Sequence, residues 1–117
     1  MLPAAARLRR SADFTDTLRA ARAARGDGMV VLHAAPGDPT ANAGVAARVG
    51  FVVPRAVGPA VTRNLVRRRL RHLLRDRLDR LPEGTRLVVR VLPAASGATS
   101  AQLGRALDRA LDRVVPS

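Results

Sequence analysis

The sequence predicts an α+β sandwich with the element order α-β-β-α-β-α, its helices packed on a small sheet. Three observations carry that expectation. Short valine-rich runs alternate with longer stretches whose leucines recur every three or four residues. Glycine and proline fall between those stretches. The 117 residues suffice for one compact domain with a real core, and not for two, so residues 1–117 are read as a single domain.

Taken in order, "SADFTDTLRAARAA" (11–24) opens with a candidate cap at Ser11 and sets Phe14, Leu18 and Ala21 on one face, predicting a helix that ends near Gly26. "MVVLHAA" from Met29 is a short strand. "PGDPTANAG" (36–44) collects turn formers and reads as an exposed loop. "RVGFVV" is a second strand, stopped by Pro54. An arginine-rich helix follows and runs to about Leu81, before "PEGT". "RLVVRVL" is a third strand, and "TSAQLGRALDRALDRV" a closing helix with Leu103, Leu107, Leu111 and Val114 at helical steps.

Charge narrows the function. Against 9 acidic residues stand 21 basic ones, all arginine, for a net charge of +12. That is more than solubility requires and costs self-repulsion in the compact state, so a polyanionic partner is expected. The arginine fork suits bidentate phosphate contacts. Absence of cysteine excludes disulfides, thiolate catalysis and cysteine metal sites. No apolar stretch is long enough for a signal peptide or a membrane span, so the expected location is the cytoplasm.

The stretch "VTRNLVRRRLRHLLR" (61–75) holds six arginines and no acid. At about 100° per residue, Val66, Leu70, Leu73, Leu74, Leu78 and Leu81 share one arc and form the face to be buried. Arg67, Arg71 and Arg75 step by four along one flank, with Asn64 and Arg68 beside them. Asp76 and Asp79 lie at the helix end. The stripe lacks the interleaved glutamate that solvated helices use for pairing four residues apart, which turns an ordinary charged face into a ridge able to track successive phosphates.

"RVGFVVPRAVGPAVTRNLVRRRLRHLLRD" resembles the central block of the bacterial ribonuclease P protein component, where a strand and a "VG.AV" turn lead into a helix with an Arg-Asn-Arg motif. "RLRRSADF" resembles that family's basic start, and "RLVVRVLPAAS" its last strand and following loop. The resemblance implies a ribosomal-protein-like fold with a left-handed β-α-β crossover. It implies a protein that binds a catalytic ribonuclease P RNA and precursor tRNA, the holoenzyme removing the 5′ leader by Mg²⁺-dependent phosphodiester hydrolysis, with Mg²⁺ bound mainly by the RNA. No DNA, membrane or organic cofactor is expected.

Carried over by position, Arg63 and Asn64 match the first two members of the motif, and Arg67, Arg68 and Arg71 match basic positions after it. Arg75 continues the ridge, and Arg55, before the turn, is a further candidate for phosphate contact. The third member is Leu65 here, which removes one cation; Arg67 and Arg69 are the candidates to compensate. The resemblance also implies a leader-binding cleft at Phe14, Leu18 and His33. Aromatic residues common there are missing, since the chain has no tyrosine or tryptophan. Leader recognition should therefore lean on apolar contact and on Arg19 or Arg22 more than on base stacking.

No catalytic residue is expected in this chain. His33 and His72 are the minimum for metal-free acid–base cleavage, but His72 lies on the polar face of the arginine helix, and the carboxylates are dispersed over separate elements. Two alternatives share the charge. A ribosomal or RNA-chaperone protein would share the fold type and lack the nuclease role. A membrane-surface helix usually presents bulky aromatics, and this one offers none.

Overall fold

A computed structural model describes residues 22 to 37 and 44 to 115. In chain order they form β1 (Arg22–Gly26), β2 (Val30–Ala35), β3 (Arg48–Val52), α1 (Ala60–Arg75), β4 (Arg86–Val91) and α2 (Ser100–Val114). Single turns of 3₁₀ helix sit at Arg55–Val57, Leu78–Arg80 and Pro93–Gly97. The α+β class holds, and its sheet has four strands in the order β1-β2-β4-β3.

The extra strand corrects the reading of residues 22 to 26 as the end of a helix. Asp27 and Gly28 take positive φ values of 52° and 70°, the left-handed backbone that an Asp-Gly hairpin turn needs. The Met29 amide donates to the Gly26 carbonyl at 2.9 Å, and β1 pairs antiparallel with β2, Ala24 opposite Leu32. Alanine-rich "RAARG" has weak strand propensity; pairing and burial against α2 override it. The rest of that helix, with Ser11, Phe14, Leu18, Arg19 and Ala21, lies outside the described residues.

β2 pairs antiparallel with β4, and β4 parallel with β3. A parallel pair needs a crossover, and α1 supplies it. Strand alternation sends Ala24, Val30, Leu32, Ala34, Val49, Leu87, Val89 and Val91 into one core with Val66, Leu70 and Leu74 of α1 and Leu103, Leu107 and Leu111 of α2. Both helices thus cover one sheet face.

Helix α1 ends at Arg75, six residues short of the sequence expectation, and the chain closes through the 3₁₀ turn. Leu78 and Leu81 still reach the core from that turn. Helix α2 starts as its sequence dictates: Thr99 Oγ1 accepts from the Gln102 amide at 3.1 Å and Gln102 Oε1 accepts from the Thr99 amide at 2.9 Å, a reciprocal cap. Gly26 permits the hairpin to lie directly on α2, because a Cβ there would stand 2.0 Å from the Ala106 carbonyl oxygen.

Candidate nucleic-acid interface

Helix α1 is aimed by the turn before it. Gly58 adopts φ 150°, a conformation open mainly to glycine, and Arg63 Nε donates back to its carbonyl at 3.1 Å. Arg63 therefore staples the helix entry as well as carrying charge. Asn64 is exposed, and its Oδ1 accepts from Arg67 Nη1 at 3.1 Å, which orders both side chains on one turn.

The arginines divide into two groups that periodicity alone does not separate. Arg67 and Arg71 are half-buried, with the Arg71 guanidinium 5.9 Å from the centre of the Phe51 ring on β3. Arg68 and Arg75 are exposed, as are Asn64, Leu65 and His72. The outward face therefore centres on Asn64, Arg68, His72 and Arg75, with Arg67 bonded to Asn64 and Arg71 leaning toward Phe51 of β3. Arg69 donates to the Ala98 carbonyl at 2.8 Å, so part of its guanidinium is engaged in fixing the loop before α2. That makes it a weak substitute for the cation missing at Leu65.

Leu65 is 41% exposed and Val61, one turn earlier, 81%. Leu65, Arg68, Arg69, His72, Arg75 and Ser100 line a groove of about 490 Å³ between α1 and the start of α2. Arg55, exposed on its own turn, stands ahead of the helix. Among the described residues no acidic side chain pairs with Arg55, Arg63, Arg67, Arg68 or Arg69, whereas Arg75 Nε has Asp76 Oδ1 at 3.9 Å.

The acids instead hold the scaffold. Asp108 accepts from Arg77 through both oxygens, at 2.7 Å from Nε and 3.1 Å from Nη2. Arg80 reaches Asp108 at 3.3 Å and also Asp112. Arg109 pairs with Asp27 at 2.7 Å, tying α2 to the β1–β2 turn. The Arg77 hydrogen bond holds the Asp108 carboxyl below the usual carboxylate range, overcoming the opposing effect of burial, with the Arg77 and Arg80 charges adding to it. Asp108 and Asp112, one turn apart on α2, thus hold the chain after α1 through Arg77 and Arg80, while Asp27 holds the hairpin.

The sheet's second face, turned away from both helices, carries His33. Its cross-strand neighbours are Ala23 and Val88. Burial lowers the imidazole pKa, helped by the nearby Arg90 charge, and Nε2 is buried with no hydrogen-bond partner. Phe14 and Leu18, the other two cleft candidates, lie outside the described residues. Arg22, expected to help hold the leader, alternates with Ala24 toward the helix side of the sheet, whereas Arg25 occupies the His33 side. Arg48, Arg86 and Arg90 join Arg25 there, a basic surface that sequence reading missed because the residues come from separate strands. Period-two alternation in each strand was the available signal.

A family model described as Ribonuclease P matches residues 2–115 of the chain. The "Ribonuclease P protein component" of Nocardioides sp. is 52% identical over 114 residues, spanning 97% of this chain and 95% of that protein. The protein of the same name from Streptomyces griseus subsp. griseus is 50% identical over 119 residues, spanning 98% and 96%. Among solved structures, the Staphylococcus aureus RNase P protein superposes with a TM-score of 0.78 at 19% identity, over 95% of this chain and 98% of that one. The Thermotoga maritima RNase P protein gives 0.75 at 24%, over 92% and 96%; these two likenesses bear on the fold alone.

Proposed function

The chain belongs to the ribonuclease P protein family and is a protein component of that tRNA-processing endoribonuclease; on that footing we propose that it binds the catalytic RNA through α1 and the 5′ leader of precursor tRNA through the sheet face bearing His33. The observation that carries the first half is the outward face of α1. Asn64, Arg68, His72 and Arg75 stand exposed in successive turns, while the apolar residues opposite them are buried. Helix rise of about 1.5 Å per residue spreads the arginines over roughly three turns, a length that spans several phosphates. Arg63 and Arg67 flank this face in fixed geometry, and Arg55 extends it. Arg71 braces it against Phe51.

The second half rests on His33. A part-exposed imidazole set among arginines offers a flat surface to a base whose backbone the cations attract. Phe14 and Leu18, which the family resemblance assigns to the same cleft, lie outside the described residues. The chemistry stays with the RNA. Mg²⁺, held by RNA phosphates, would supply the activation of water there, and this chain's arginines would offset phosphate repulsion where the RNA and the precursor meet. Asp108, Asp112 and Asp27 are engaged with Arg77, Arg80 and Arg109. The setting is the cytoplasm.

Reconstitution tests this. Protein with a ribonuclease P RNA should cut precursor tRNA at the mature 5′ end at lower Mg²⁺ than RNA alone, and protein by itself should not cut. Arg67→Ala with Arg68→Ala should reduce the slope of log affinity for the RNA subunit against log salt by about 1.4 to 1.8, from roughly 0.7 to 0.9 per phosphate contact. A wild-type slope near zero refutes the electrostatic account. Tight binding of unrelated structured RNA with no effect on cleavage would instead favour a ribosomal or chaperone protein.

A further inference from the structure

The sheet face bearing His33 has a second feature. Arg48 and Arg86 are direct cross-strand partners on the parallel pair β3 and β4, so their side chains leave the same face on strands about 4.8 Å apart. Like charges placed opposite one another destabilise a sheet. The usual remedy is an acid, and Glu83 is close in sequence. Its carboxylate instead accepts from the Gly44 amide at 2.8 Å. Among the described residues neither guanidinium has an ion-pair partner. Arg48 is exposed and Arg86 half-buried. Together with Pro36, Gly37, Val45 and Gly84 they line a concavity of about 340 Å³ at that end of the sheet.

We propose that Arg48 and Arg86 form a phosphate clamp for a single-stranded RNA backbone, the leader's next anchoring point beyond His33. This rests on the reading of the sheet face as the leader's binding surface. The geometry sets the order of contacts. His33 and Val88 make one cross-strand row, Ala35, Arg86 and Arg48 the next, and Arg25 and Arg90 belong to the row on the opposite side of His33. Successive rows on one face are about 7 Å apart, a spacing similar to that of consecutive phosphates on an extended strand. A strand crossing the rows with one base at His33 therefore brings backbone phosphates to Arg90 on one side and to the Arg48–Arg86 pair on the other. Two forked guanidiniums flanking one phosphate supply several donors and relieve their own repulsion. An extended strand fits this arrangement better than a duplex, whose phosphates follow a helical path across a flat sheet.

The test uses reconstituted holoenzyme and precursors that differ only in leader length, from one nucleotide to ten. Wild-type affinity should rise with length and reach a plateau. Arg48→Gln with Arg86→Gln should remove the last increment, lowering the ratio of long-leader to one-nucleotide-leader affinity about tenfold, the order of one charge-assisted contact. Arg48→Lys with Arg86→Lys should recover most of it, which a mere folding defect in the glutamine pair would not predict. The long-leader salt slope should fall by about 0.7 to 0.9. His33→Ala is measured in parallel and separates the two ideas. If His33→Ala lowers the ratio and the glutamine pair leaves it unchanged, the clamp is wrong and the leader surface stands. If neither alters the ratio, the leader surface itself is wrong. An equal loss at every leader length, or a loss reproduced by competing inorganic phosphate on the one-nucleotide precursor, makes the pair a general anion site and overturns the clamp.

Discussion

Replacing Arg77 by alanine should loosen α1 from α2, and the size of the effect can be worked from the contacts. Arg77 gives Asp108 a two-pronged hydrogen bond at 2.7 and 3.1 Å and donates through Nη1 to the Leu73 carbonyl at 2.8 Å. Its side chain is 20% exposed, whereas that of Asp108 is 46% exposed. Hydrogen bonds to charged groups contribute about 1.5–3 kcal/mol when sheltered, and an exposed ion pair about 0.2–1 kcal/mol. Half-exposure of Asp108 places the coupling between these ranges, at about 1–1.5 kcal/mol. Arg77→Ala additionally loses the bond to Leu73 and the packing of its stem, for a total of about 2 kcal/mol. With about 2.1 cal/mol/K of unfolding entropy per residue, that lowers Tm by about 8 °C. The assay is urea unfolding at pH 7 of the wild type, Arg77→Ala, Asp108→Ala and the double variant, closed as a cycle. The depressed folded pKa of Asp108 sets the pH dependence. A carboxyl held lower in the folded state stabilises above its unfolded value, and that stability is lost as pH falls through the folded value. The coupling should therefore persist at pH 7 and vanish in strong acid. A coupling below about 0.3 kcal/mol at pH 7, or one unchanged after the carboxylates are protonated, would refute the account.

The lowered pKa of His33 makes the same demand on acidity in a higher pH window. Because burial and Arg90 lower it, the unfolded chain binds this proton more readily, so stability is full above pH 6.5 and falls as pH drops below that value. His33→Gln should flatten the pH 5 to 7 portion of the stability curve, and a curve parallel to wild type would contradict it. Gly26→Ala should cost about 1–3 kcal/mol, since its methyl would meet the Ala106 carbonyl oxygen at 2.0 Å; a change under 0.5 kcal/mol in urea would show that the hairpin can shift away from α2 without penalty.

Local pattern was sufficient wherever one element answers to its own residues. Leucine spacing located the buried faces of α1 and α2, valine runs located β2, β3 and β4, and the uncompensated arginines of 61–75 pointed to a polyanion. Local pattern misled at "RAARG", where the alanines suit a helix, although the Asp27-Gly28 turn and pairing with β2 make the segment a strand. It also placed α1 in a single stripe of charge. Contacts distant in sequence sort that stripe, drawing Arg71 onto Phe51, engaging Arg69 at Ala98 and leaving Arg68 outward.

Composition and periodicity alone settled the charge, the α+β class, the buried faces of the two helices and the uncompensated arginine stripe of residues 61–75. Tertiary structure decided which charges meet. Asp108 stands 31 residues from Arg77, and Arg48 stands opposite Arg86 only because β3 and β4 pair in parallel with that register. The physical reason is range. Side-chain spacing along a helix or strand is fixed by backbone geometry and can be read from the residues alone. Electrostatic partners are fixed by strand order and helix packing, which are settled by burial of the whole apolar surface at once.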